Sequence, residues 1–201
     1  NVAEVLALLL GVALMTQQVG HVPATTPVLS ALMVLWVNMV SDALPSFALG
    51  YDVPEADLMS QPPRNVHQSI LHGMLGRIAL RGIVMGGVVY LAFLWAAQVG
   101  MNPAEAQTVA FLTLVFGQLW HVFDARSTRT LFHRNPFENG KLLIAVAFAA
   151  VASLLVTVMP FFNMVMGTAP LSNGLYLAVV VLPAIPTLVI SGIKVLWLRR
   201  S

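Results

Sequence analysis

Apolar residues fall in long runs broken by short polar connections, and the runs number one short and five full. The short one covers about Asn1–Met15. As a helix it reaches only about 22 Å, less than the roughly 30 Å hydrocarbon core of a bilayer. The others lie near Val28–Gly50, Ile78–Val99, Ala106–Phe123, Leu142–Phe162 and Leu175–Leu198, each long enough to cross. The pattern predicts an all-α, polytopic transmembrane helical bundle with one partial plus five full membrane helices. No low-complexity stretch, repeat or linker divides it. Gly82 and Gly86 form a G-x-x-x-G spacing on the third run, which permits close helix contact. Pro183 and Pro186, with no acidic neighbour, predict a plain kink in the last helix.

Composition agrees: 58% of residues are hydrophobic, 9% are charged, and the mean hydropathy is +0.84. The sequence pI near 9.4 invites a nucleic-acid reading, which the placement of the charges answers. All ten Lys and Arg residues fall on one side of the expected topology: Arg64, Arg77, Arg81, Arg126, Arg129, Arg134, Lys141, Lys194, Arg199 and Arg200. The connections at 16–27, 100–105 and 163–174 carry none. This is the positive-inside asymmetry, so the basic connections and the C-terminus are expected in the cytoplasm, and no nucleic-acid partner is expected. Trp36, Trp95, Trp120 and Trp197 are expected to anchor at the interfaces. There is no cysteine, which removes disulfides and thiolate sites and disfavours soft-metal transport. The first run has no basic flank or cleavage site of a secretory signal. The expectation is that Asn1 lies at mid-membrane and that the chain is the C-terminal portion of something longer.

Two carboxylates stand inside these apolar runs, Glu4 and Asp42. An ionisable group at membrane depth is costly and faces a polar cavity, a partner or a bound ion. Asn1 and Glu4 are three apart, and Asn38, Ser41 and Asp42 fall at three and four, so each set shares a helix face. Carboxylates, amides and a hydroxyl on two neighbouring helices form an oxygen cage suited to a hard cation. Pro45 adds to it, because it has no N–H to bond the carbonyl of Ser41. A freed carbonyl in a segment able to unwind is a recurrent way to bind ions at the midplane.

The stretch Leu35–Arg64, LWVNMVSDALPSFALGYDVPEADLMSQPPR, resembles the sixth membrane helix and following loop of P-type cation-transporting ATPases, closest to the calcium-pump branch. There the pattern reads approximately LWVNLVTDGLPA-ALG and then runs through D-M to PPR. The opening NVAE is similar to the family's NVGE on its fifth helix. Helix number, order and orientation fit the last six of the family's ten, so the resemblance covers essentially the whole chain.

The resemblance implies that residues 1–201 are the C-terminal, ion-binding membrane domain of such a pump. It has no DKTG motif, nucleotide-binding segment or actuator loop, nor the fourth-helix motif with proline and glutamate. Mg²⁺ and ATP would then act only in the missing cytoplasmic domains, and this fragment alone would hold no catalytic residue and hydrolyse nothing. Asp42 matches the aspartate that bridges both calcium sites of the family, Asn38 and Ser41 match its Asn and Thr, and Glu4 and Asn1 match its fifth-helix ligands. Gln118, placed by its spacing to FDARS, stands where reticulum-type calcium pumps carry a glutamate. An amide still offers an oxygen, but the site has one charge less and binds calcium more weakly or not at all. His121 is either a proton-linked partner on that face or a histidine near the interface. Ala43 replaces a glycine, which restricts unwinding.

The implied function is ATP-driven export of Ca²⁺ from the cytoplasm. Its partners are the lipid bilayer, the phosphorylation domain of the parent chain and the cation; the bias toward Ala, Val, Leu and Met with compact loops points to a bacterial inner membrane. The small residues on the third run should pack against the family's fifth helix, and the loop Tyr51–Arg64, with Asp52, Glu55 and Asp57, is either a contact for the phosphorylation domain or a solvated acidic loop. The alternatives are a pump for Na⁺, K⁺, Mg²⁺ or Mn²⁺, and a free-standing scaffold or secondary transporter.

Overall fold

The computed structural model describes residues 2–52, 74–126 and 136–198, the side chains of 136 and 193–198 excepted. Asn1, most of the loop Tyr51–Arg64, Arg129, Arg134, Arg199 and Arg200 lie outside the described residues. Helices dominate, and there is no strand ladder among the described residues, only an isolated bridge between Val19 and Val22. Helix α1 spans Val2–Leu14, followed by α2 (Ala31–Trp36), a π-helical segment Val37–Asp42, and α3 (Ala43–Leu49). Then come α4 (Leu75–Gln98), α5 (Pro103–Ala125), a 3₁₀ turn at Pro136–Glu138, and α6 (Gly140–Val158). Helices α7 (Pro160–Met166), α8 (Asn173–Val181) and α9 (Ala184–Leu198) complete the order.

Among the described residues, five helical stretches are long and apolar enough to cross a membrane: 31–49, 75–98, 103–125, 140–158 and 173–192. Helix α1 is the shorter apolar one. The expected count of one partial and five full helices therefore holds. Large apolar side chains cover the outside, among them Val12, Phe47, Ile144 and Met164. In water that surface would be a liability; against lipid it is the ordinary exterior of a spanning bundle.

Helix α5 is the axis of the bundle, in contact with α4, α6, α8, α9 and the π-helical segment, while α1 packs along α4. Its side chains Phe111, Leu112 and Leu114 are fully buried, with Phe93 of α4 and Met33 of α2 in the same core. Its start is fixed by local chemistry. Asn102 Oδ1 accepts from Glu105 N at 2.9 Å, Glu105 Oε2 accepts from Asn102 N at 2.9 Å, and Pro103 occupies the first helical position. The two glycines on α4 set its distance from α1. A Cβ on Gly86 would come within 2.9 Å of the Ala3 carbonyl oxygen, and one on Gly82 would collide with Val2. The G-x-x-x-G expectation is borne out.

Three breaks refine the expected helices. The run predicted as Leu142–Phe162 stops at Val158, because Pro160 forces Met159 into an extended conformation (φ −79°, ψ 123°) and starts α7. The last run parts between α8 and α9 at Leu182–Pro183, the site of the expected kink. The run Val28–Gly50 is divided by its π-helical turn. Trp36 stands beside that turn and donates its indole N–H to Ser153 Oγ of α6 at 3.0 Å, so it links helices at mid-span instead of anchoring at an interface.

Candidate cation site in the membrane

The π-helical turn follows from Pro45. Without an N–H at position 45 the Ser41 carbonyl lacks its α-helical donor, and the backbone widens upstream, where Ala43 N bonds to Asn38 O five residues back. The expectation of an unwound segment is thus met as a widened turn, not as extended chain. Wide turns of this kind aim side chains and carbonyls away from the regular helical ladder, and they recur at functional sites.

Three sequence-designated residues converge here from three helices. Glu4 of α1 is 2% exposed. Asn38 Nδ2 donates to Glu4 Oε2 at 3.0 Å, and Gln118 Nε2 of α5 donates to Glu4 Oε1 at 3.2 Å. Asn38 Nδ2 also donates to Val34 O at 2.8 Å. Asp42 is partly buried one turn beyond Asn38 and lies within electrostatic reach of Glu4. Ser41 is buried, and its Oγ has no hydrogen-bond partner; the same is true of Gln118 Oε1. Asn1 lies outside the described residues. Among the described residues no three His, Asp or Glu side chains gather in one place, so any cation held here takes amide, hydroxyl and carbonyl oxygens beside its two carboxylates. Both amides turn nitrogen toward Glu4. Rotation of either about its last bond exchanges nitrogen for oxygen and converts a donor to the carboxylate into a ligand for a cation.

A cavity of about 210 Å³ adjoins this cluster, lined by Val2, Arg81, Met85, Gln118, His121 and Thr187 among others. Arg81 of α4 donates to Asp124 of α5 at 2.5 Å, and the Asp124 side chain is fully buried. In the sequence alone Arg81 reads as an orientation signal, and Asp124 has no role assigned to it. A signal was present: Arg81 lies inside the apolar run Ile78–Val99, and a charge there needs a counter-charge.

A second polar cluster, also unforeseen, ties the end of α3 to the connection between α5 and α6. Arg126 donates from Nε to Asp52 Oδ2 at 2.8 Å and from Nη2 to Asp52 Oδ1 at 2.9 Å. That fork holds the Arg126 guanidinium above its usual pKa, chiefly through the hydrogen bond to Asp52. Glu138 stands 3.9 Å from Arg126, Lys141 Nζ lies 3.5 Å above the Tyr51 ring, and Asn139 Nδ2 donates to Ala48 O at 3.1 Å.

The family model described as "Cation transporting ATPase, C-terminus" matches residues 26–196. The "Calcium-transporting ATPase" of Bacillus subtilis (strain 168) is 37% identical over 196 residues, covering 96% of this chain and 21% of that protein. "Calcium-transporting ATPase 1" of Bacillus cereus is 28% identical over 183 residues, with 83% and 21% covered. "Probable cation-transporting ATPase F" of Mycobacterium tuberculosis (strain ATCC 25618 / H37Rv) is 29% identical over 160 residues, with 79% and 18% covered. The chain spans about a fifth of the length of the curated relatives it matches. With its helical order, its broken second span and its buried carboxylate between amides, the chain belongs to the family of C-terminal membrane regions of P-type cation-transporting ATPases.

Proposed function

We propose that the chain is the cation-binding membrane portion of an ATP-driven pump that exports Ca²⁺ from the cytoplasm. The observation that carries this reading is the convergence of Asn38 and Gln118 on the buried Glu4, beside a π-helical turn that bears Asp42. Glu4 and Asp42 supply charge, Asn38, Gln118 and Ser41 supply neutral oxygens, and the Ser41 carbonyl released by Pro45 adds a backbone oxygen. That is the hard-oxygen set a calcium ion takes, in six- to eight-fold coordination. Asn1, three residues before Glu4 in the sequence, is proposed as a further ligand. Relatives named for calcium transport support Ca²⁺ as the cargo.

The pump's Mg²⁺, ATP and phosphorylated aspartate belong to cytoplasmic domains elsewhere in a longer protein, and this portion holds no catalytic residue. A cytoplasmic C-terminus accords with the distribution of Lys and Arg, and a bacterial inner membrane with the bias toward Ala, Val, Leu and Met and the compact loops. The deciding experiment is phosphorylation of the full-length pump by labelled ATP across a calcium titration. Asp42→Asn is expected to abolish calcium-dependent phosphoenzyme while the protein stays folded in the membrane. Near-normal calcium dependence in that variant sinks the assignment. Competition with Na⁺, K⁺, Mg²⁺ and Mn²⁺ in the same assay identifies the cargo among hard cations.

A further inference from the structure

The span that carries Asp42 is not one rod. Its first half, α2, is fixed at one end by Ser30 Oγ, which accepts from Met33 N and donates to Met166 O at 3.2 Å, and at the other by the Trp36–Ser153 bond. Its second half, α3, has seven residues and is separated from α2 by the π-helical turn. A helix under two turns has no stability of its own, so its place is set by whatever grips it from outside. Helix α6 packs along it, and polar grips gather at its end: the Arg126 fork on Asp52, the Asn139 amide on the Ala48 carbonyl, and Lys141 over Tyr51. All three polar grips come from the end of α5 and the start of α6. The π-helical turn is thus suspended between two anchored halves.

Conversion of a π-turn to α-helix shifts one half by a residue against the other, which rotates every side chain downstream by about 100°. With both halves anchored, the register is held and Asp42 keeps its bearing toward Glu4 and Asn38. Of the outer grips, the Arg126 fork is the strongest and the most directional. It is bidentate and charge-assisted, and the arginine side chain is 2% exposed, where screening by salt is weak.

We infer that Arg126 is a positioning residue for the cation site: through Asp52 it locks the register of the broken span and so sets where Asp42 points. The inference rests on the cation-site reading above. Arg126 touches no cargo, and the Asp52 it holds is ten positions along the chain from Asp42. Its removal should therefore change affinity and leave the chemistry of the loaded pump alone.

In the full-length pump, Arg126→Ala is expected to raise the calcium concentration for half-maximal phosphorylation by about tenfold, within the range for contacts that act at a distance. The phosphoenzyme level at saturating calcium stays unchanged. Arg126→Lys, which keeps the charge but not the fork, falls between. An unchanged half-saturation, or a loss of the saturated level without a shift, overturns the inference. A second readout needs no transport: spin labels at Phe47→Cys on α3 and Ile144→Cys on α6, both outward-facing positions, report the distance between the two helices. The distribution is expected to broaden on Arg126→Ala, and an unaltered one overturns the lock. Absence of calcium-dependent phosphorylation in the unsubstituted protein is a different failure, that of the pump reading, and the label distances separate the two.

Discussion

Glu4 shows how one buried charge organises its neighbours. Each carboxylate oxygen accepts from a neutral amide, one from the broken span and one from the central helix, which compensates the charge without neutralising it. The sequence identifies Glu4, Asn38 and Asp42, because polar groups inside apolar runs are conspicuous; Gln118 enters only through the family resemblance. It does not show that Gln118 bonds Glu4, since spacing arguments work within a helix and this contact joins residues 114 apart. The pairs Arg81–Asp124 and Asp52–Arg126 escaped notice for the same reason. Ser41 yields a test at this scale. A buried hydroxyl without a partner costs about 1–3 kcal/mol. Ser41→Ala is therefore expected to hold or raise the thermal midpoint of the full-length protein while weakening its apparent calcium affinity severalfold. A variant that loses stability and keeps its affinity would show the hydroxyl to be structural.

Helix packing separates neighbouring glycines that look alike in sequence. Gly86 faces α1, where an added methyl would meet Leu6 Cβ at 3.0 Å and the Ala3 carbonyl at 2.9 Å; at Gly87 nothing lies within 4 Å. Gly86→Ala is expected to cost about 1–3 kcal/mol through overpacking. Gly87→Ala should be neutral or stabilise by up to about 1 kcal/mol through helix propensity. Thermal melts of the two variants in detergent check the difference, and equal midpoints would refute the close approach of α1 and α4. The helical runs themselves were legible to within a few residues. What the apolar pattern obscured was their interruption: Pro160 and Pro183 sit inside runs of uniform hydropathy, so only local backbone chemistry marks the breaks at Met159 and Leu182. The π-helical turn at 37–42 is the same effect, foreshadowed by Pro45 but not in its form.

For the whole molecule, helix order and charge asymmetry together fix a sidedness that labelling can check. Gln17 and Asn173 are exposed in the connections free of basic residues, and Phe137 is 73% exposed in the basic one. In intact cells a membrane-impermeant maleimide should label Gln17→Cys and Asn173→Cys but reach Phe137→Cys only after permeabilisation. The reverse pattern would invert the topology and place the Arg126 lock outside. The one global feature the sequence concealed is the centrality of α5. It is the most buried of the five spans and also the least apolar, so a hydropathy profile ranks it last where packing ranks it first. That inversion bears on biogenesis. A segment with a weak claim on lipid partitions poorly by itself when it leaves the translocon, yet two of its pairing surfaces, on α4 and the π-helical segment, are synthesised before it. The earlier helices then serve as a template that receives α5 laterally, and the order of the genes' codons becomes part of the instruction for assembly.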